Sequence, residues 1–397
     1  MEFIDYYSRD IGYYLLQSSN LKMSTDVISL ADDTVNYFRN KYLTPDDILL
    51  LNMISKNSIS QPEFNDFIEK WDIESKGGQK ALMLSYLMKK HPELNYPSYI
   101  GPRLKGLLQF YRFRNVKLEA EFKKICTVLK DKNIEIMIIK GGAMKHLYPE
   151  LPRVMGDIDI IVHKNDFNIV KNIVRDLGYN YEDYGHSIDL HKGNSQEGIL
   201  DIHNRINMLS KDEHKVNDDL FKRAHAETVF GVEGVLVPSA EDLVFLSIIN
   251  LSKNLAQNTS IHSLFHSYLD CKNLVDSNPD FNWDIVKSNI VKSSTELPFY
   301  IVSKLINSIS TSFIPILSEK GYKKSGFTCL YNRYYLLKLK EKSHRLSFKD
   351  VCSGKTGIVD YLSFRIMYFI YKREFLRRSP SFSEFMLTKR SNNICKH

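Results

Sequence analysis

The chain has 397 residues, of which 43% are hydrophobic and 25% are charged. These proportions are ordinary for a soluble globular protein, and the length allows two or three domains. No apolar run approaches the length of a membrane-spanning helix, and acids stand where a secretory signal needs basic residues, so neither a membrane span nor secretion is expected. The five cysteines form no CxxC pair, which argues against a zinc site or a disulfide framework and predicts a reducing, cytoplasmic location.

The net charge of +7 is unevenly distributed along the chain. Residues 320–397 contain 18 Lys and Arg against 5 Asp and Glu, whereas all other residues together contain 36 against 42. A basic C-terminal region on an acidic body is typical of a protein with a polyanionic partner, so RNA is a candidate partner of this region.

Residues 1–112 are predicted to form an N-terminal helical domain. Apolar residues recur there at helical spacing in four segments, which are residues 26–38, 46–54, 62–71 and 80–89. Thr44 precedes Pro45 and two acids, a pattern that predicts a capped helix start. The stretch from Pro97 to Pro102 is a predicted linker. Since this domain shows no catalytic motif, we expect it to serve packing or substrate recognition.

The most informative stretch, residues 134–162, reads IEIMIIKGGAMKHLYPELPRVMGDIDIIV. Its isoleucine-rich run predicts a strand, and Lys140, Gly141 and Gly142 separate this strand from one or two predicted helical turns. A strand that ends in two glycines before a helix exposes backbone N–H groups, and this arrangement predicts a phosphate-binding turn. The alternative interpretation is an ordinary glycine turn.

At the end of this stretch, acids alternate with branched apolar residues. A strand would therefore place Asp157 and Asp159 on one face. Two neighbouring carboxylates repel each other and lose hydration unless a cation lies between them, and carboxylates combined with substrate phosphates suit Mg²⁺. The alternative is an amphipathic strand with a solvated acidic face. The two glycines upstream favour the metal site.

Alternating and helical patterns continue as far as residue 275. We predict a helix from Phe113 to about Asn133 that leads into the first core strand, a helix at 166–177, a hairpin around Gly185 and a strand at 199–206. A hairpin around Gly231 and Gly234 and helices at 241–255 and 260–275 are predicted to follow. This order describes a small mixed sheet flanked by helices. Asp201 lies on the strand at 199–206. His203 would share its strand face, either as a residue that supports the metal ligands or contacts the substrate, or as a packed core residue.

The C-terminal region contains two further segments of interest. The segment from Gly354 to Thr356 lacks the upstream glycine of a Walker A loop, so no phosphate loop is predicted there. The segment from Tyr361 to Arg378 is aromatic, apolar and basic. We expect it to pack as a long helix with a basic edge, and contact with a membrane surface or with RNA is the alternative.

Residues 134–162 resemble the nucleotidyltransferase superfamily of the DNA polymerase beta-like fold, whose signature is apolar-Gly-Gly/Ser, a spacer, and Asp-apolar-Asp/Glu-apolar. They are similar in particular to the uncharacterised nucleotidyltransferase family, with its Lys-Gly, Tyr-Pro, Arg and Gly-Asp-Ile-Asp. That family carries a third acid in an Asp-Leu-His-like motif, which Asp201 to His203 matches. A Pro-Ser-x-Glu-Asp segment that opens a helix follows, and Pro238 to Asp242 matches it. The resemblance covers about residues 118–275.

The resemblance implies an α+β fold with a nucleotidyltransferase core at residues 113–237, followed by a C-terminal helical region at 238–397. It further implies a metal-dependent enzyme that moves a nucleoside monophosphate from a nucleoside triphosphate, with ATP as the expected donor, to an acceptor hydroxyl and releases pyrophosphate. A small molecule or a protein is the expected acceptor. The alternatives are a toxin-like nucleotidyltransferase acting on tRNA and a catalytically silent nucleotide-binding protein.

The family pattern also implies roles for single residues. The predicted catalytic residues, and predicted ligands of two Mg²⁺ ions with Mn²⁺ as an alternative metal, are Asp157, Asp159 and Asp201. The predicted nucleotide-binding residues are Lys140, Gly141, Gly142, Arg153 and Lys253. Three of these have a structural alternative: Lys140 would extend from a strand end to solvent, Arg153 would pair with Glu150, and Lys253 would be solvated.

Overall fold

The computed structural model describes residues 31–32, 34–40, 43–71, 77–151, 153–193, 198–206, 213–257, 262–293, 295–310 and 313–316. The predictions for the basic C-terminal region, including those for Gly354 to Thr356 and for Tyr361 to Arg378, lie outside these residues.

The described chain begins with helices. A helical segment at 34–40 is followed by α1 (Pro45–Ser55), α2 (Gln61–Ile68) and α3 (Gly77–Lys90). Thr44 starts α1: its Oγ1 accepts a hydrogen bond from the Asp47 N–H at 3.2 Å, and the Asp47 carboxylate accepts one from the Thr44 N–H at 2.9 Å. This reciprocal capping box satisfies two backbone donors that the helix itself leaves unpaired. The predicted start of α1 is confirmed.

A long helix, α4 (Gly101–Asp131), joins these helices to the sheet. The sequence interpretation began this helix at Phe113, and that start is wrong by twelve residues. Pro102 lies in the first turn of the helix, where proline lacks only an N–H that would have no partner. Helix α4 packs against α3 and also against the sheet, so the domain boundary predicted at 112/113 falls inside one continuous helix.

The core is a seven-stranded mixed sheet with the strand order β3-β4-β5-β2-β1-β7-β6. In chain order its elements are β1 (Ile136–Ile138), α5 (Lys140–Leu147), β2 (Ile158–Val162), α6 (Phe167–Asp176), β3 (Tyr179–Asp183), β4 (Ser187–Lys192), β5 (Leu200–His203), α7 (Glu213–Arg223), β6 (His225–Val229) and β7 (Val232–Val237). Strand β2 lies at the centre, antiparallel to β1 and parallel to β5, and all five of its residues are buried. The predicted α+β class with a mixed sheet is confirmed.

The β6–β7 hairpin differs from the prediction in the place of its turn. Phe230 and Gly231 both have positive φ, +48° and +77°, as a two-residue hairpin turn requires. Gly234 was expected in the turn, but it lies within β7 with a φ of +69°.

Four helices of the described chain follow the sheet: α8 (Ala240–Gln257), α9 (His262–Asp276), α10 (Trp283–Ser293) and α11 (Glu296–Asn307). The helices predicted at 241–255 and 260–275 correspond to α8 and α9. Helix α8 packs against α9, α10 and α11 and also touches α5. It therefore lies next to the helix that follows the first strand of the sheet. Among the described residues, no helix is both long enough and apolar enough to cross a membrane.

Candidate active site

Strand pairing brings the carboxylates of the candidate site together. In the parallel pair β2–β5, Asp159 lies opposite Asp201. Cross-strand neighbours of this kind have Cβ atoms about 5 Å apart, so their side chains share one face. Asp157 was predicted within the same strand. It lies one residue before β2 begins and is half-buried.

His203 lies between the two strand carboxylates. Its Nε2 is 3.0 Å from Oδ1 of Asp159 and 3.0 Å from Oδ2 of Asp201, and the residue is 6% exposed. Potential ligand atoms of these three residues all lie within 4.8 Å of one another. His203 is therefore buried, as the packed interpretation expected, and its imidazole also contacts both acids, as a role at the site requires.

Lys140 adds a cation to this cluster. Its Nζ donates to the Asp159 carboxylate and is 3.4 Å from Nε2 of His203. Burial disfavours the ammonium charge, but the carboxylates of Asp159, Asp201 and Asp157 outweigh burial and raise the pKa of Lys140. The alternative in which Lys140 extends from a strand end into solvent is therefore wrong.

The backbone at Lys140 is strained. Its φ is +51°, a left-handed conformation that costs a non-glycine residue of order 1–3 kcal/mol. This conformation occurs where the chain leaves β1 and enters α5, and the same residue sends its ammonium to the acids. Strain of this kind persists where the surrounding structure fixes it, and it is concentrated at functional sites.

The three acids have different electrostatic surroundings. Burial, followed by the neighbouring Asp159 charge, raises the pKa of Asp157 from 3.8 to about 7. Burial also acts on Asp159, but the ammonium of Lys140 and the imidazole of His203 outweigh it and lower its pKa. The hydrogen bond from His203 likewise outweighs burial at Asp201, whose pKa is lowered. Near neutral pH, Asp159 and Asp201 are therefore ionised, whereas Asp157 is partly protonated.

Asp157 should make the metal-free protein less stable as the pH rises. The unfolded chain loses the Asp157 proton near 3.8, whereas the folded chain keeps it to about 7. The raised pKa of Asp157 therefore stabilises the folded chain fully below pH 3.8, and this stabilisation is lost as the pH rises to about 7. In urea unfolding with EDTA, the free energy of unfolding of the wild type, relative to that of Asp157→Asn, should fall across this window. A pH-independent difference would contradict this assignment.

The glycine turn lies in the first turn of α5, because the helix begins at Lys140. The first N–H groups of a helix have no acceptor within it and attract anions. Gly142 is needed for packing: a Cβ there would lie 2.8 Å from Cδ1 of Ile138 and 3.0 Å from Cγ2 of Ile158. Gly141 is covered by the guanidinium of Arg153, whose Nε would lie 3.2 Å from an added Cβ.

Arg153 does not pair with Glu150, so that alternative is wrong. Its Nη1 donates to the carboxylate of Asp270 on α9, and Glu150 instead pairs with Lys89 at 2.7 Å. The side chain of Arg153 is 14% exposed and that of Asp270 is 6% exposed.

A cavity of about 420 Å³ connects these groups. Its walls include Lys140, Gly141, Arg153, Asp157, Asp159 and Asp270, together with polar residues of α8 and α9. The volume lies within the range of small-ligand pockets, roughly 300–1,000 Å³. Lys253 lines a separate cavity of about 20 Å³ with Lys140 and His203.

A larger cavity of about 670 Å³ lies on the other side of Arg153, between α4 and the C-terminal end of α5. Arg153 lines both cavities, whereas the three acids do not line this one. Chemistry rather than volume therefore identifies the smaller cavity as the candidate active site.

Two acids near the site were not identified from the sequence. Asp189 on β4 lies opposite Asp201 in the antiparallel pair β4–β5. It lies close to the three acids, because an added Cβ at Gly198 would be 3.1 Å from Asp189 Oδ1 and 3.8 Å from Asp157 Cβ. Asp270 lies on α9, 117 residues after its partner Arg153. The alternating pattern of β4 is a weak signal for Asp189, whereas no sequence pattern indicates a role for Asp270.

Comparison with known proteins identifies similar sequences and folds. Residues 80–309 match the sequence profile of a family described as uncharacterised nucleotidyltransferase. No curated protein matches the chain. One similar solved structure is the antibiotic-resistance factor ANT(2'')-Ia, with 15% identity and a TM-score of 0.33 over 45% of this chain and 90% of that one. Another is an antigenic nucleotidyltransferase-like protein from Paracoccidioides brasiliensis, with 13% identity and a TM-score of 0.31 over 48% and 92%.

Proposed function

Because the chain belongs to the uncharacterised nucleotidyltransferase family, we propose that it moves a nucleoside monophosphate from a nucleoside triphosphate, with ATP as the expected donor, to an acceptor hydroxyl and releases pyrophosphate. The observation that carries this proposal is the arrangement of Asp157, Asp159 and Asp201 in one place, beside the first turn of α5. Two of these acids lie in register on neighbouring strands, and Asp157 and Asp159 share a cavity with Gly141.

The donor set fits a hard divalent cation. Asp159 and Asp201 offer ionised carboxylates, and Oδ1 of Asp201 is buried without a hydrogen-bond partner, as expected for an atom that binds an ion. Carboxylate oxygens suit Mg²⁺ or Mn²⁺, whereas an imidazole nitrogen suits softer metals. We therefore assign the ligands to Asp157, Asp159 and Asp201. His203, which contacts two of them, would orient their carboxylates.

When bound, one or two Mg²⁺ ions would supply charge neutralisation at the transferred phosphoryl group. The protein groups have separate tasks. The first N–H groups of α5, at Gly141 and Gly142, would bind the triphosphate. Lys140 and Arg153 carry positive charge beside this turn and would stabilise the negative charge that builds on the leaving pyrophosphate. Lys253, which lines a small cavity together with Lys140 and His203, would add a further positive charge for a phosphate.

The acceptor hydroxyl must lose a proton as its oxygen bonds to the α-phosphorus and the bond to pyrophosphate breaks. Asp201, which lies on β5 opposite Asp159, would accept the proton. A small molecule or a protein is the proposed acceptor. A cavity of about 420 Å³ is too small for a macromolecule, so a protein acceptor would present one side chain at its mouth.

A second candidate function is transfer to tRNA. It is favoured by the charge of residues 320–397, with 18 basic against 5 acidic residues. Contacts to phosphates make RNA binding fall steeply with salt. Truncation after Glu319 should therefore abolish salt-sensitive RNA binding if RNA is the acceptor, and it should leave label transfer to a small molecule unchanged if RNA is not.

The test of nucleotide transfer uses cell extract, because the acceptor is not fixed in advance. Wild-type protein is incubated in turn with each α-labelled nucleoside triphosphate and Mg²⁺. Label should move to one fraction, whether protein, RNA or small molecules, and EDTA should prevent the transfer. Asp157→Ala should abolish the transfer while its circular dichroism stays that of the wild type. Asp284→Ala, which changes an exposed acid on α10, is the matched control.

Retained transfer by Asp157→Ala would exclude this site. Binding of the labelled nucleotide without transfer to any fraction would instead support a catalytically silent nucleotide-binding protein. The presence of all three acids argues against that alternative, since a chain that had lost the chemistry would have no need to keep them.

A further inference from the structure

The Arg153–Asp270 pair connects the helical region after the sheet with the start of α5. Arg153 belongs to the segment before β2, whereas Asp270 lies on α9 and is 5% exposed. The Arg153 backbone is also fixed. Asn115 of α4 donates from Nδ2 to the Arg153 carbonyl at 2.6 Å, and its Oδ1 accepts from the Met155 N–H at 3.4 Å. Arg153 is thus held at its backbone by α4 and at its guanidinium by α9.

The guanidinium of Arg153 lies over Gly141, in the first turn of α5 that is proposed to bind the triphosphate. An added Cβ at Gly141 would be 3.2 Å from Nε and 3.7 Å from Nη2 of Arg153. Arg153 and Asp270 both line the cavity of about 420 Å³ that contains Asp157 and Asp159. A guanidinium has five N–H donors in a planar fork, and one of its nitrogens, Nη1, is directed at Asp270. The remaining donors are available to an anion in the cavity.

Stability alone is a weak reason for burying this pair. Removing two charges from water costs about as much as their attraction returns, and apolar pairs of similar size are often as stable. Burial raises the pKa of Asp270 even though Arg153 acts in the opposite direction, so the site disfavours the charge that the pair needs. A carboxylate that faces a triphosphate also repels it. A function that requires an oriented guanidinium accounts for the presence of Asp270.

We propose that Asp270 is a positioning residue for nucleotide transfer: it holds the Arg153 guanidinium over the first turn of α5, where that guanidinium meets the leaving pyrophosphate. This proposal rests on the proposed function. It makes α9 part of the nucleotide site, although α9 contributes none of the predicted metal ligands.

The geometry predicts opposite effects on binding and on transfer. Asp270→Asn removes a negative charge from the cavity wall, so affinity for inorganic tripolyphosphate with Mg²⁺ should be unchanged or higher. The same change leaves the guanidinium without its anchor, and misplacement of a catalytic group by about 1 Å costs roughly 100-fold in rate. The kcat for label transfer should therefore fall by about 10- to 100-fold. Arg153→Ala should weaken tripolyphosphate binding and slow transfer together.

The double variant decides whether Asp270 acts through Arg153. In the Arg153→Ala background, Asp270→Asn should slow transfer no further. Asp270→Glu keeps the charge but shifts the guanidinium by about one methylene, so it should slow transfer at unchanged tripolyphosphate affinity. It also serves as the test if Asp270→Asn does not fold. Asp276→Asn is the control, since this exposed acid on the same helix pairs with Lys272 at 2.8 Å.

Three results would overturn the proposal. One is a parallel loss of affinity and kcat in Asp270→Asn that follows its loss of thermal stability. Another is a full additional loss of transfer in the double variant. The third is unchanged transfer in Asp270→Asn. If wild-type protein transfers no label, the proposed function fails. If the wild type transfers label and Asp270→Asn transfers it equally fast, only the positioning role of Asp270 fails.

Discussion

Asp159→Ala is expected to lose nucleotide transfer by about 10³-fold or more, since even one lost electrostatic contact to a transition state costs 10²–10³-fold. Asp159 is the most connected acid of the site. It contacts Lys140 and His203 and lies opposite Asp201. Its removal takes away a proposed metal ligand and also releases the two groups that it holds. The measurement is label transfer from each α-labelled triphosphate, beside wild-type protein.

A loss of activity has to be separated from a loss of structure. Without Asp159, the mostly buried ammonium of Lys140 loses its closest partner, and the free energy of unfolding should fall by about 1–3 kcal/mol. Replacing Lys140 with Met in the same chain should restore most of this stability in urea unfolding, whereas transfer should stay absent. If the double variant regained transfer, or if Asp159→Ala kept more than a tenth of wild-type activity, Asp159 would have no catalytic role.

Asp242→Ala is expected to cause the largest loss of stability. Asp242 is fully buried at the start of α8, and four hydrogen bonds converge on its carboxylate. They come from Nε and Nη2 of Arg223 at 2.9 and 2.7 Å, from Asn289 at 2.7 Å and from the Ser239 hydroxyl at 3.1 Å. Breaking a buried pair by removing one partner costs about 3–5 kcal/mol. The melting temperature should fall by about 4–6 °C.

Glu241→Ala is the matched control for this change. Glu241 is the neighbouring acid of the same motif, and its carboxylate accepts one hydrogen bond, from the Asn282 N–H at 3.1 Å. A loss below about 1 kcal/mol is expected, as for a typical single hydrogen bond. Similar melting temperatures for the two variants would contradict the structural role of Asp242. The expected difference would show that Asp242 joins α7, α8 and α10 through its hydrogen bonds to Arg223 and Asn289.

The central strands and the first two acids were predictable, because their signals are local. Branched apolar residues alternate with acids before Val162, and the glycines at 141 and 142 follow an isoleucine run. The order of the motifs also indicated that Asp201 belongs to the same site. Its position opposite Asp159 was not predictable from spacing, since the register of β2 and β5 depends on pairing between strands about 40 residues apart.

The contacts of Arg153 and Lys140 join segments that are far apart in sequence, which explains why these contacts were not predicted. Glu150 was considered as an alternative partner of Arg153 because it is near in sequence. In the fold, Arg153 donates a hydrogen bond to Asp270 instead. The alternative for Lys140 extended its side chain from a strand end to solvent, yet the backbone of this residue is left-handed and its side chain contacts the acids. The start of α4 was misplaced because two prolines suggested a linker, although proline is well tolerated in a first helical turn. The division of the chain into three domains stays a prediction.

The continuity of α4 has a mechanical consequence. At about 1.5 Å per residue, its 31 residues form a rod roughly 46 Å long. The helix packs on α3 and on the sheet, where Lys130 near its C-terminal end donates to the Gly234 carbonyl at 2.9 Å, and Asn115 near its middle holds the Arg153 backbone. A stiff rod cannot tilt at one end only. Any displacement of the first helices, for example by an acceptor docking against them, would therefore be transmitted as a lever movement to the guanidinium beside Gly141.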